Sequence, residues 1–118
     1  MREFSTPLSI SIPTTGNLTD DVVSNAREAA DTAVFSRRTD DGWVDVTAGE
    51  FHDEVRAVAK GLVAAGVEPG DRVALLSKTR YEWTLFDYAI WFAGAVTVPI
   101  FVASGRFADS AAVVSVRP

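Results

Sequence analysis

The chain has 118 residues, 47% of them hydrophobic, and its 11 basic and 16 acidic side chains give a formal net charge of −5. That length allows at most one domain with a modest core, and the composition is too apolar for a disordered chain. The acidic balance and the lack of a basic patch exclude a nucleic-acid binder, which must neutralise phosphates. The absence of cysteine excludes disulfides, thiolate metal sites and thiol nucleophiles, and one histidine cannot build a multi-histidine centre.

Residues 1–16 are rich in Ser, Thr and Pro and read as an extended arm. They lack a continuous apolar stretch of the secretory kind, so a cytoplasmic location is the expectation. Thr19 is placed to cap a first helix, with Asp20 and Asp21 at its positive end. Val22, Ala26, Ala29, Ala30 and Ala33 then recur at helical spacing, a thin stripe suited to the surface of something larger. Val34 to Arg38 and Trp43 to Val46 flank Thr39-Asp40-Asp41-Gly42, a hairpin signal. Thr47 and Glu50 have the spacing of a capping box. Phe51, Val55, Val58, Ala59 and Leu62 line one face of the helix that follows, and Gly66 stands where a left-handed stop is wanted.

Glu68-Pro69-Gly70-Asp71 predicts a turn, and Val73 to Leu76 is an uninterrupted apolar run of the sort a strand covered on both faces carries. Residues 80–93 are apolar nearly all round, a helix that needs neighbours on several sides. Gly94 stops it and Ala95 to Ile100 supplies the next strand. Strand, helix and strand of these lengths predict one right-handed parallel βαβ unit. The fold class is therefore α/β: a partial parallel sheet with one βαβ unit, plus an N-terminal helix and a β-hairpin. No internal repeat or low-complexity tract interrupts it.

Groups able to do chemistry are scarce. His52 adjoins Phe51 and should point away from the apolar face into solvent. Glu82 and Asp87, five residues apart, share a helix face poorly and make a weak carboxylate dyad, so Asp87 is expected to cap a network under the aromatic helix or to meet Arg80 or Lys78. Ser104-Gly105-Arg106 could touch a phosphate but lacks the strand, glycine pattern and helix that make such loops specific. The aromatics of residues 81–92 read as core packing before base stacking or an acyl pocket. A membrane span over residues 84–105 is opposed by Gly94, by Pro99 and by the strand-forming Val96-Thr97-Val98.

Gly70-Asp71-Arg72-Val73-Ala74-Leu75-Leu76-Ser77, then Arg80-Tyr81-Glu82-Trp83, Asp87 and Gly94-Ala95-Val96-Thr97-Val98-Pro99-Ile100 occur in one order and spacing. Together they resemble the N-terminal region of AMP-forming acyl-CoA synthetases, the long-chain fatty acid–CoA ligases. The resemblance covers roughly residues 1–101, and the opening Met-Arg-Glu-Phe is similar to that of actinobacterial long-chain ligases. It implies an N-terminal fragment of an adenylate-forming domain at residues 17–101, after the arm at 1–16 and before a divergent tail at 102–118. Full-length members use ATP, Mg and coenzyme A to turn a fatty acid into an acyl-adenylate and then an acyl-CoA.

The family's phosphate loop ending in Pro-Lys-Gly, its Tyr-Gly-x-Thr-Glu segment, its ribose-binding aspartate and its late lysine do not occur here. No residue is therefore assigned a catalytic, cofactor-binding or metal-binding role, and the fragment alone is expected to be inactive and to bind no cofactor. The tail departs from the family pattern: Phe101 stands for a tyrosine, no Glu-Gln follows, and Asp109 to Val114 is only faintly similar to Asp-Ser-Gly-Ala and its strand. A truncated or frameshifted gene product is the expectation drawn from that departure. Two alternatives stand beside it: a non-catalytic module pairing through an exposed sheet edge, and a small membrane-associated protein using residues 84–105. An incomplete sheet with a greasy helix also predicts self-association or aggregation, and leaves peripheral membrane contact open.

Overall fold

The computed structural model describes residues 5–7, 9–11 and 14–100, together with the backbone of 112–116. The elements run α1 (Thr19–Glu28), β1 (Ala33–Thr39), β2 (Gly42–Thr47), α2 (Ala48–Ala64), β3 (Arg72–Leu76), α3 (Tyr81–Phe92), β4 (Val96–Ile100) and β5 (Ala112–Val116). β1 and β2 form an antiparallel hairpin, and the other strands form a mixed sheet in the order β4-β3-β5.

The first helix differs from its sequence expectation at both ends. Thr19 lies inside the helix and Asn17 does the capping: its Oδ1 accepts from the Thr19 amide at 2.9 Å and from the Thr19 hydroxyl. The Asp20 carboxylate in turn accepts from the Asn17 amide at 3.0 Å. At the far end the alanine stripe does not carry the helix past Glu28. Ala30 and Thr32 instead offer their carbonyls, each at 2.9 Å, to the amides of Gly49 and Ala48. Those amides are first-turn donors of α2 with no partner inside their own helix. A tertiary requirement thus overrides alanine's helix propensity, and of the stripe only Val22 is buried.

The capping box of α2 forms as expected. The Thr47 hydroxyl accepts from the Glu50 amide at 3.3 Å while the Glu50 carboxylate accepts from the Thr47 amide at 2.9 Å. In the hairpin Thr39 pairs with Gly42, and Gly42 rather than either aspartate takes the positive φ, +130°. Pro69 and Gly70 (φ +87°) make the turn into β3, closed by the Asp71 amide donating to the Glu68 carbonyl at 3.0 Å. The Asp71 carboxylate accepts from the Glu68 amide at 3.0 Å as well. The Gly70 amide then donates to the Gly94 carbonyl at 2.9 Å, joining the start of β3 to the turn before β4.

The βαβ unit is present, with β4 parallel to β3 from Arg72↔Val96 to Leu76↔Ile100. β5 adds what the sequence did not predict, an antiparallel strand on the other edge of β3, entering at Leu76↔Ala112. That entry lies at the end of the sheet where β4 finishes, at Leu76↔Ile100.

α3 serves two cores, which is why it is apolar all round. Leu85 and Ala89 join Val22, Val46, Phe51, Val55 and Ala59 against α1, α2 and the hairpin. Ile90 and Ala93 join Val67, Val73 and Ala95 against the sheet. Val55, Val73, Ile90 and Leu75 are essentially excluded from solvent, and each such side chain contributes about 1.5–3 kcal/mol. The opposite face of the sheet is less covered than the sequence suggested: Ala74 and Leu76 are half-buried, and Val96, Val98 and Ile100 beside them are exposed.

Candidate functional site

Polar groups with defined geometry gather where β1, α2 and α3 meet. Tyr81, the first residue of α3, donates its hydroxyl to Glu54 Oε2 at 2.8 Å. Arg37 on β1 places Nη1 3.5 Å from Glu54 Oε1 and its guanidinium carbon 5.6 Å from the centre of the Tyr81 ring. Phe35 and Phe51 floor the cluster, with ring centres 4.7 Å apart, and Tyr81 meets both edge-on at 6.0 and 6.2 Å. Burial first, and then the Glu54 acceptor, push the Tyr81 phenol well above the ordinary tyrosine range.

A phenol held protonated and already committed to a carboxylate acts neither as base nor as nucleophile near neutral pH. The cluster is a clamp that fixes the hairpin onto the two helices. Sequence reasoning missed it because Arg37, Glu54 and Tyr81 are far apart in the chain. The one available signal was that Glu54 follows Phe51 by three residues and so borders the apolar face of α2. Next to the clamp, among α1, the hairpin, α2 and α3, lies a largely apolar cavity of about 120 Å³ whose lining includes Val22, Asn25, Val34, Phe51 and Tyr88.

The residues weighed from sequence lie apart from one another. His52 is not solvated as expected: its side chain keeps 20% of its exposure, packs edge-on to Phe92 with ring centres 6.3 Å apart, and sets Nδ1 3.5 Å from Asp53. The end of α3 covers that row of α2, which periodicity on α2 alone could not show. Glu82 pairs with Arg80 at 3.4 Å, so Arg80 is turned to Glu82 rather than to Asp87. Tyr81, Tyr88 and Phe92 pack on the core as expected. Ser104-Gly105-Arg106 and Phe101 lie outside the described residues. Among the described residues no group of His, Asp and Glu could hold a metal ion, and no helix is long and apolar enough to cross a membrane.

The parallel crossover, the clamped hairpin and the helix shared by two cores define a mixed α/β fold. The AMP-binding enzyme family matches residues 22–113, and the chain belongs to that family. It is 42% identical over 104 residues to the long-chain-fatty-acid–CoA ligase FadD15 of Mycobacterium bovis, a match covering 88% of this chain and 17% of that protein. Among solved structures, the fatty acid AMP ligase of Legionella pneumophila superposes with a TM-score of 0.67 at 25% identity, over 75% of this chain and 16% of its own. A Rhodopseudomonas palustris protein described as a long-chain-fatty-acid CoA ligase gives 0.66 at 31% identity, over 75% and 21%. The chain thus spans about a sixth of the length of FadD15, and it resembles the N-terminal part of long-chain fatty acid–CoA ligases.

Proposed function

We propose that this chain is the opening scaffold of the adenylate-forming domain of a long-chain fatty acid–CoA ligase. Residues 17–101 form the first part of that domain, with the arm at 1–16 before it and a divergent tail at 102–118. The whole enzyme, working in the cytoplasm, would use ATP and Mg to activate a fatty acid as its acyl-adenylate and then pass the acyl group to coenzyme A. The observation that carries this reading is the β3-α3-β4 crossover, tied by Gly70 to Gly94, lying within the segment matched by the family.

In this reading the chain's own residues position other parts of the enzyme and touch no reacting atom. Adenylation needs groups that hold ATP phosphates and orient a carboxylate in line. The Arg37–Glu54–Tyr81 clamp has its hydrogen-bonding capacity turned inward and serves neither task. Acid-dependent ATP–pyrophosphate exchange tests the proposal in two arms. The purified chain should show background exchange only, whereas a ligase of the family in which residues 22–100 replace the matching segment should remain active. Exchange by the chain alone, or an inactive but folded chimera, would overturn the proposal.

A further inference from the structure

A shallow groove of about 390 Å³ runs between the second half of α2 and the end of α3. Its floor is apolar, made by Ala59, Val63, Ala64 and Phe92, and Val63 is 55% exposed there. Its rim carries Arg56 and Lys60, one helical turn apart and both exposed. Among the described residues neither cation takes part in an ion pair. Of the acids before Arg56 on the helix, Asp53, about a turn away, sits 3.5 Å from the His52 imidazole, and Glu54 is turned to Arg37 at 3.5 Å. A locally cationic, apolar trough on a chain of net charge −5 selects for an anionic amphiphile.

We propose that this groove is a surface site for a long-chain fatty-acid anion, its carboxylate between Arg56 and Lys60 and its alkyl tail along Val63 and Phe92. The choice of a fatty acid rests on the reading of the chain as part of a fatty acid–CoA ligase. Geometry supports a single molecule over a bilayer. Successive turns stand about 5.4 Å apart, which lets one carboxylate lie between the two cations, and the trough is concave. Two cations attract an anionic membrane surface too weakly to hold a protein there. The site holds the anion and performs no chemistry.

Dodecanoate, kept below its micellar concentration at pH 7.4, is the probe, titrated into the chain and followed by amide NMR shifts. One saturable site is expected, with shifts confined to residues 56–64 and the end of α3. The Arg56→Gln/Lys60→Gln double variant should weaken binding about fivefold, dodecanol should bind at least as weakly as that, and Val63→Asp should abolish binding. Val63 is exposed, so the last variant keeps its fold, which circular dichroism checks. Unsaturable binding, binding indifferent to Arg56 and Lys60, or co-sedimentation with phosphatidylglycerol vesicles in place of dodecanoate binding overturns the proposal. A chimeric ligase that stays active while dodecanoate fails to bind removes this inference and leaves the assignment of the chain intact.

Discussion

Three glycine-to-alanine substitutions in this chain should move stability by different amounts and in different directions. Gly94 has φ +77°, and a Cβ there would stand 3.2 Å from Pro69 Cβ, with Pro69 Cα and Cγ at 3.5 Å. A left-handed backbone costs a non-glycine residue about 1–3 kcal/mol, and the proline ring cannot rotate away from the added methyl. Gly94→Ala should therefore fall in the upper half of that range, about 2–3 kcal/mol. Gly70 has φ +87° but open space around it, so Gly70→Ala incurs the backbone term alone, about 1–2 kcal/mol. Gly61 lies inside α2, and an added Cβ there would meet nothing within 4 Å, so alanine should stabilise by about 0.5–1 kcal/mol. Urea unfolding followed by the fluorescence of Trp83 and Trp91, half-buried on α3, reads all three. With slopes of about 1–3 kcal/mol per molar, a 2 kcal/mol loss lowers the midpoint by about 1 M. A Gly94→Ala variant no less stable than Gly70→Ala, or a destabilised Gly61→Ala, would refute this ranking.

Thr47→Ala removes one half of the α2 capping box and should cost about 1 kcal/mol in the same urea assay. Val55→Ala empties a site with no solvent exposure between the two helices and should cost about 2 kcal/mol. Tyr81→Phe should alter the alkaline limb of stability. The phenol's pKa is raised in the fold, so its contribution is complete below the unfolded value near 10 and is lost as pH climbs above it. The native chain should lose stability more steeply above pH 10 than Tyr81→Phe does, and parallel alkaline limbs would refute the assignment.

The sequence carried those parts of the fold that depend on neighbours in the chain. The Thr47–Glu50 box, the Pro69-Gly70 turn and the stop at Gly94 are each decided within a few residues, and each appears where the residue types require it. Failures occurred where a distant segment made the decision. Ala29 and Ala30 leave the helix because α2 needs their end of the chain as a backbone acceptor. His52 is covered because α3, forty residues later in sequence, brings Phe92 across it. The Arg37–Glu54–Tyr81 clamp was hidden for the same reason: three elements contribute one side chain each, and none is unusual in its own segment. β5 likewise pairs with β3, more than thirty residues earlier in sequence, which no local pattern in its own segment announces.

Pro99 shows how one residue constrains what the sheet can join. The Val96 amide donates to the Asp71 carbonyl at 2.8 Å, so it points at β3. Backbone groups alternate along a strand, which directs Val98 and Ile100 the same way and turns Thr97 and Pro99 towards the open edge. Pro99 consequently sacrifices no bond to β3, which is why a proline is tolerated within this strand. It also leaves Thr97 as the one amide donor among residues 96–100 on that edge. An added strand would find acceptors there but few donors, so this edge, unpaired among the described residues, is poorly suited to strand addition. The sheet's unhelical face is different: Val96, Val98 and Ile100 stand in a row 53%, 40% and 46% exposed, alongside Ala74 and Leu76. Any association of this chain should therefore be driven by apolar burial on that face rather than by strand addition. Replacing Val98 with lysine should suppress self-association in sedimentation velocity, whereas Thr97→Pro, which removes the remaining edge donor, should leave it unchanged.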